Sequence, residues 1–312
     1  MAEFLPLILK NGKIDNLSLG DGYVSFNSAQ NWDRGIFAGG GNNVIDYVSI
    51  SHKGNAADFG DVDNGGYTES LGACSSGTRG VFAGGRIPGS TYSAQMIYIT
   101  IATLGNSTNF GNLTTSARRA ISGTTNKTRG IFCGGDDNSS IYTYIDYITI
   151  ATTGNSTSFG SLSSLGSFTG SCSNNTRGVC AGGYATGFVA TNIIEYVTIA
   201  TTGNSTDFGD LVRTSTYTCV AISDLIKALF CVIGYADYVT IATTSNASYF
   251  SGLIPGSVQY SSGCSNGLYG IIGGGTSDST MIILVNINTS AMSEDFGDLS
   301  SARYFTSALS GN

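Results

Sequence analysis

Residues 129–160 read RGIFCGG, a nine-residue loop, then IDYITIATTGNSTSFG. The first part returns as RGIFAGG at 34–40, RGVFAGG at 79–85 and RGVCAGG at 177–183, with weaker copies at 227–234 and 269–275. The second part is more regular. Tyr47, Tyr98, Tyr147, Tyr196, Tyr238 and Leu284 are each followed twelve positions later by a phenylalanine: Phe59, Phe110, Phe159, Phe208, Phe250 and Phe296. Six copies at a period of 42 to 51 residues are the signature of a propeller or solenoid.

Each copy reads as four strands. The segment before the RG, such as SARRAISGTT at 116–125, is small and polar, which suits an innermost strand where six copies crowd one axis. In RGIFCGG, Ile131 and Phe132 alternate to opposite faces and both need cover, which stacked blades supply. Gly134 and Gly135 end that strand. IDYITIAT at 145–152 is β-branched and aromatic, Gly154-Asn155 turns the hairpin, and Phe159 returns to the core. The predicted fold is all-β: a six-bladed β-propeller of four-stranded blades over residues 22–312, preceded by a short N-terminal arm, residues 1–21.

Composition agrees. Charged residues make up 11 % of the 312, with 44 glycines, 41 % hydrophobic residues, 17 Tyr and 15 Phe, a profile for many short strands and tight turns rather than disorder. A net charge of −7 disfavours nucleic acid as a partner, since phosphate binding needs clustered Lys and Arg. No run of 18 apolar residues occurs, so no membrane insertion is expected. MAEFLPLILK lacks a basic n-region and carries Glu3, so it does not read as a signal peptide. Seven cysteines cannot all pair within the chain and recur in phase with the repeat, as small buried hydrophobes do.

The spacing from each Phe to the next RG equivalent is 18 to 20 residues, whereas the loop between the second and third strands varies in length. In an up-and-down blade, alternate loops share a face. The variable loops therefore lie with the fourth-to-first connections, and the RG corners lie with the GN hairpins on the opposite, uniform face. Two segments compete to close blade one: the tail, residues 300–312, which matches the pre-RG segment of the third repeat and is favoured, and residues 22–31. The arm reads either as a strand packed on the domain or as an attachment segment for a larger assembly.

The Gly-Gly doublet that ends a strand, followed by an aromatic strand in six units of about 50 residues, is similar to kelch-type propellers, although the chain holds one Trp, Trp32. The longer string, TRGIFAGG through IDYVTIATTGNSTDFGDL, resembles a kelch-like repeat of structural and tail proteins of tailed bacteriophages, especially those of marine and cyanobacterial hosts. That resemblance covers residues 34–299. It implies a virion component (tail fibre, head appendage or decoration protein) that contacts a host surface, bound to other virion proteins through its arm and located in the virion after synthesis in the host cytoplasm.

Chemistry is sparse. His52 is the sole histidine, so Ser-His and His-metal constellations are unavailable. The chain is expected to be non-enzymatic, without cofactor or metal. DFG at 58–60, 207–209 and 295–297 reads as a blade corner. The repeated GNST sequons read as turns. Arg34, Arg79, Arg129 and Arg177 form a partial ring, either an anion site or, as the phasing favours, pairs with carboxylates or carbonyls at blade corners. The binding candidates are on the variable loops: Arg86 and Tyr92; Asp136, Asp137, Tyr142 and Tyr144; Tyr184 and Phe188. Tyr with Asp and Asn suits host-surface glycans, by stacking and paired hydrogen bonds, and also suits protein contacts. A stand-alone carbohydrate-binding lectin propeller is the second functional reading.

Overall fold

The computed structural model describes residues 9–10, 13–14, 33–63, 68–215, 218–232, 234–253, 259–276 and 279–311. The chain divides into two units, residues 1–30 and 31–312. Within the first, Leu9–Lys10 pairs antiparallel with Lys13–Ile14; the rest of the arm and the competing segment 22–31 lie outside the described residues. The second unit is a six-bladed β-propeller of antiparallel four-stranded blades, with no α-helix among the described residues.

Blade three shows the plan. Its strands are Ser122–Thr125, Arg129–Cys133, Tyr144–Thr149 and Thr157–Ser161, from the axis outwards. Ile131 and Phe132 are wholly buried on opposite faces, in the cores shared with blade four and blade two respectively. The third strand stops short of the predicted 145–152. Ile150 turns its N–H to Thr128 O and its carbonyl to Arg79 of the preceding blade. The innermost strands of all six blades touch in a closed ring. Blade one draws its innermost strand from the tail: Ser307–Ser310 pairs with Arg34–Ala38. Blade four carries an extra ribbon, Leu165–Ser167 against Tyr184–Ala185.

The motifs that repeat are joints. The spacing of twelve sets Tyr147 edge-on to Phe159 at 6.1 Å, and the same pair recurs in blades one, two, four and five. The arginines pair with main-chain carbonyls of the neighbouring blade. Arg129 lies 4.4 Å over Tyr147 and donates to Ile199 O and Ala200 O of the next blade at 3.0 and 2.9 Å. Arg79 likewise reaches two carbonyls of its next blade, Arg34 and Arg177 reach one each, and Lys227 replaces them in blade five. The sequon asparagines are joints too. Asn155 Oδ1 accepts the N–H of Asn112 in the preceding blade at 2.9 Å, as Asn106, Asn204 and Asn246 do at their own interfaces, and Asn55, at the same hairpin place without a sequon, does likewise. The DFG corner buries Phe59, exposes Asp58 and packs Gly60 so closely under the next hairpin that an added Cβ would lie 2.5 Å from Gly105 O.

Candidate functional site

The fourth-to-first connections and the second-to-third loops lie together and bond to each other. Glu69 pairs with Arg86, Arg119 with Asp136, and Asn42 with Thr68, each as an antiparallel bridge. This is the diversified face. At its centre, five of the six connections make a tight turn just before the innermost strand they enter. Ser70, Ala120, Phe168, Tyr260 and Phe305 occupy equivalent places, each with a left-handed φ between 54° and 59°. Left-handed backbone is costly for residues with a Cβ, and here a ring of hydrogen bonds holds it. Ser70 N donates to Phe305 O, Ala120 N to Ser70 O, Phe168 N to Ala120 O and Phe305 N to Tyr260 O. Blade five completes the circuit differently: Cys219 N donates to Phe168 O, and Thr218 Oγ1 accepts from Tyr260 N. These turns surround the mouth of an axial cavity of about 120 Å³.

Three of the six mouth positions are aromatic and three are small. Phe168 and Phe305 come from opposite blades, and their rings meet at 5.6 Å. Tyr260 packs on Phe305 at 4.4 Å. From there the aromatic array continues outwards. Phe168 is edge-on to Tyr184 at 6.2 Å, and Tyr184 to Phe188 at 6.4 Å. Arg119 lies 5.6 Å from the Phe168 ring and 5.9 Å from the Tyr92 ring. Most of these rings are half-buried, and Phe188 is exposed.

Of the residues singled out from the sequence, Tyr92, Tyr184 and Phe188 therefore belong to one array. Asp136 touches it from below: it is buried, its Oδ1 accepts from Arg119 Nε at 3.0 Å, and it serves to hold that arginine. Arg86 pairs with buried Glu69 at 3.1 Å and lines a polar cavity with Asn42 and Tyr304 between blades one and two. Tyr142 and Tyr144 form a second group, stacked at 5.4 Å and 16°. Asp137 organises that loop. It accepts the Tyr142 hydroxyl at 2.6 Å and the N–H groups of Ser139 and Ser140. Those bonds, the tyrosine's first, hold its carboxyl below the usual aspartate range, and the same bond pushes the Tyr142 hydroxyl up.

Sequence reasoning missed Arg119, Phe168, Tyr260 and Phe305. A signal existed: Ser70, Ala120, Phe168, Thr218 and Tyr260 each stand nine positions before the RG equivalent, a place fixed in the repeat and free in residue type. No protein-family model matches the chain, and no curated protein matches it.

Proposed function

We propose that this chain is a non-enzymatic binding protein that presents its diversified face, centred on the array around Phe168, to a partner surface. The observation that carries the reading is that linked set of half-exposed rings, spread over two variable loops and the axial mouth. Aromatic rings on a rigid scaffold supply large contact area at small entropic cost. In its finer form the proposal makes the protein a virion component, because the repeat resembles those of tailed-phage structural proteins. Residues 1–21 then attach it to other virion proteins, and the face is turned to the host surface. Neither cofactor nor metal is part of this role.

Purified particles test it. Deleting residues 1–21 is expected to release the protein from particles, and Tyr184→Ala with Phe188→Ala is expected to lower particle adsorption to host cells. Finding the protein free in uninfected cells and never on particles overturns the virion reading. A stand-alone lectin is the second reading, favoured by the Tyr142–Tyr144 stack beside Asp137, a platform of the kind on which sugar rings stack. Glycan-array signals that vanish with Tyr142→Ala and Tyr144→Ala would select it.

A further inference from the structure

Five of the six interfaces place a cation from one blade on a carbonyl of the next. The acceptors are Ile101 O, Ile150 O, Ile199 O, Ile241 O and Ile287 O, at 2.6 to 3.0 Å. In each case the cation also lies over a tyrosine of its own blade. The sixth interface, from blade six to blade one, lacks both partners. Tyr269 stands where the cation should be, and Leu284 stands where the tyrosine should be. The acceptor persists: Ile50 follows Tyr47 by three residues, as Ile101 follows Tyr98. No side-chain donor reaches Ile50 O among the described residues.

A cavity of about 290 Å³ opens at this place, lined among others by Ile50, Lys53, Tyr269, Leu284, Met292 and Glu294. Glu294 lies directly across from Leu284 in the sheet. The corresponding residues in blades one to five are Ala57, Thr108, Thr157, Thr206 and Ser248. The blade that lost its own cation is thus the one that gained a carboxylate. Lys53 reaches Glu294 at 2.6 Å, but both side chains are largely exposed, 48 % and 65 %, and such a pair is held weakly.

We propose that this pocket binds a guanidinium group supplied from outside the chain. The group takes the place that arginine fills at four other interfaces, donating to Ile50 O and to the Glu294 carboxylate, beside the Tyr269 ring. A guanidinium suits the site better than an ammonium because its planar fork can serve carbonyl and carboxylate together. The source is either a small guanidinium compound or an arginine side chain of a partner polypeptide.

Titration of the full chain with N-acetylarginine methylamide, followed by NMR, tests the assignment. Saturable shifts confined to the lining residues are expected, with N-acetyllysine methylamide binding more weakly. Glu294→Gln is expected to weaken binding about fivefold, the worth of one exposed ion pair, and Lys53→Ala to strengthen it by freeing the carboxylate. The double change Tyr269→Arg with Leu284→Tyr rebuilds the internal joint and should abolish binding while raising the melting temperature. A short arginine peptide that binds tenfold tighter than the amide assigns the site to a polypeptide partner; equal affinity assigns it to the small compound. Absence of saturable shifts with both probes, or shifts unchanged in Glu294→Gln, overturns the proposal, whatever the folding of the double variant.

Discussion

Arg118 Nη2 and the Asp146 carboxylate meet at 2.8 Å with both side chains wholly buried. The arginine belongs to the connection entering blade three, and the aspartate belongs to that blade's third strand. Arg118 also donates to Gly134 O, Thr115 Oγ1 and Ser116 O. Blade one repeats the arrangement with Arg303 and Asp46, and blade five does so with Arg213 and Asp237 at 3.1 Å. In blade four, Glu195 accepts from Ser163 and Ser164 instead. The equivalent positions in blades two and six are Ile97 and Ile283, both in the core. Removing one member of a buried pair strands the other charge, so Asp146→Ala is expected to cost about 3–5 kcal/mol, read from a urea midpoint. Because Ile97 shows that an apolar side chain fits this slot, Asp146→Ile combined with Arg118→Met should recover most of the loss. Additive losses in the double variant would sink that account.

The Arg129 joint offers a milder test. Its guanidinium is partly exposed and spans Tyr147 and two carbonyls of blade four. Arg129→Met should cost about 1–2 kcal/mol, the sum of one cation–π contact and hydrogen bonds to charge. Arg129→Lys should regain part of it. Blade five already uses Lys227, whose ammonium keeps one carbonyl at 3.0 Å but stands 5.8 Å from the Tyr238 ring. Thermal melts of the three proteins should rank Arg above Lys above Met.

These joints also show how much the sequence reveals. The blade count and strand order were legible because the Tyr147–Phe159 pair and the Arg129 joint recur in phase, and a joint between identical units must recur. Loops carrying Tyr92, Tyr184 and Phe188 stood out because they break the phase. Arg118 and Asp146 were not legible as partners. They lie 28 residues apart, and Asp146 sits inside a string whose neighbours Ile145 and Tyr147 explain themselves as strand. Phe168, Tyr260 and Phe305 were hidden by register: they fall in segments that read as small, polar inner strand, and only the closed ring brings opposite blades together.

All seven cysteines are free and buried. Burial pushes the Cys219 and Cys264 thiols up to about 12, and it does the same in direction for Cys74, Cys172 and Cys231. Cys133 is pushed up by its bond to Cys180 first and by burial next. These six raised thiols are poor sources of the reactive thiolate near neutral pH. The native protein should show no labelling by a thiol reagent over minutes at pH 8, and all seven should label in denaturant. Rapid native labelling would contradict the burial.

The loop carrying Tyr142 should be held over a wide pH range. Asp137 sits below its ordinary value of 3.8 because it accepts bonds from Tyr142, Ser140 and Ser139. A depressed carboxyl contributes stability that is present above 3.8 and lost as pH falls through the lower folded value. Tyr142, raised above 10.0 by the same bond, contributes below 10.0 and loses its contribution as pH rises through the higher folded value. Amide shifts of Ser139 and Ser140 should stay constant between these limits and move outside them. Asp137→Asn should remove the acid-side change; its persistence in that variant would assign it to another group.

Phe168 separates backbone strain from side-chain use. Its φ of 56° costs about 1 kcal/mol for a residue with a Cβ, and the bonds from Phe168 N to Ala120 O and from Cys219 N to Phe168 O hold it there. Phe168→Ala keeps that strain and loses the contacts with Phe305, Tyr184 and Arg119. Phe168→Gly loses the same contacts but relieves the strain. Glycine at this position should therefore be more stable than alanine by about 1 kcal/mol, the reverse of their order inside a helix or strand. Both variants should bind the partner surface equally poorly, because both remove the ring that joins the two halves of the array. Alanine as stable as glycine would remove the strained turn from the explanation. Undiminished adsorption in both variants would move the binding site away from the axial mouth.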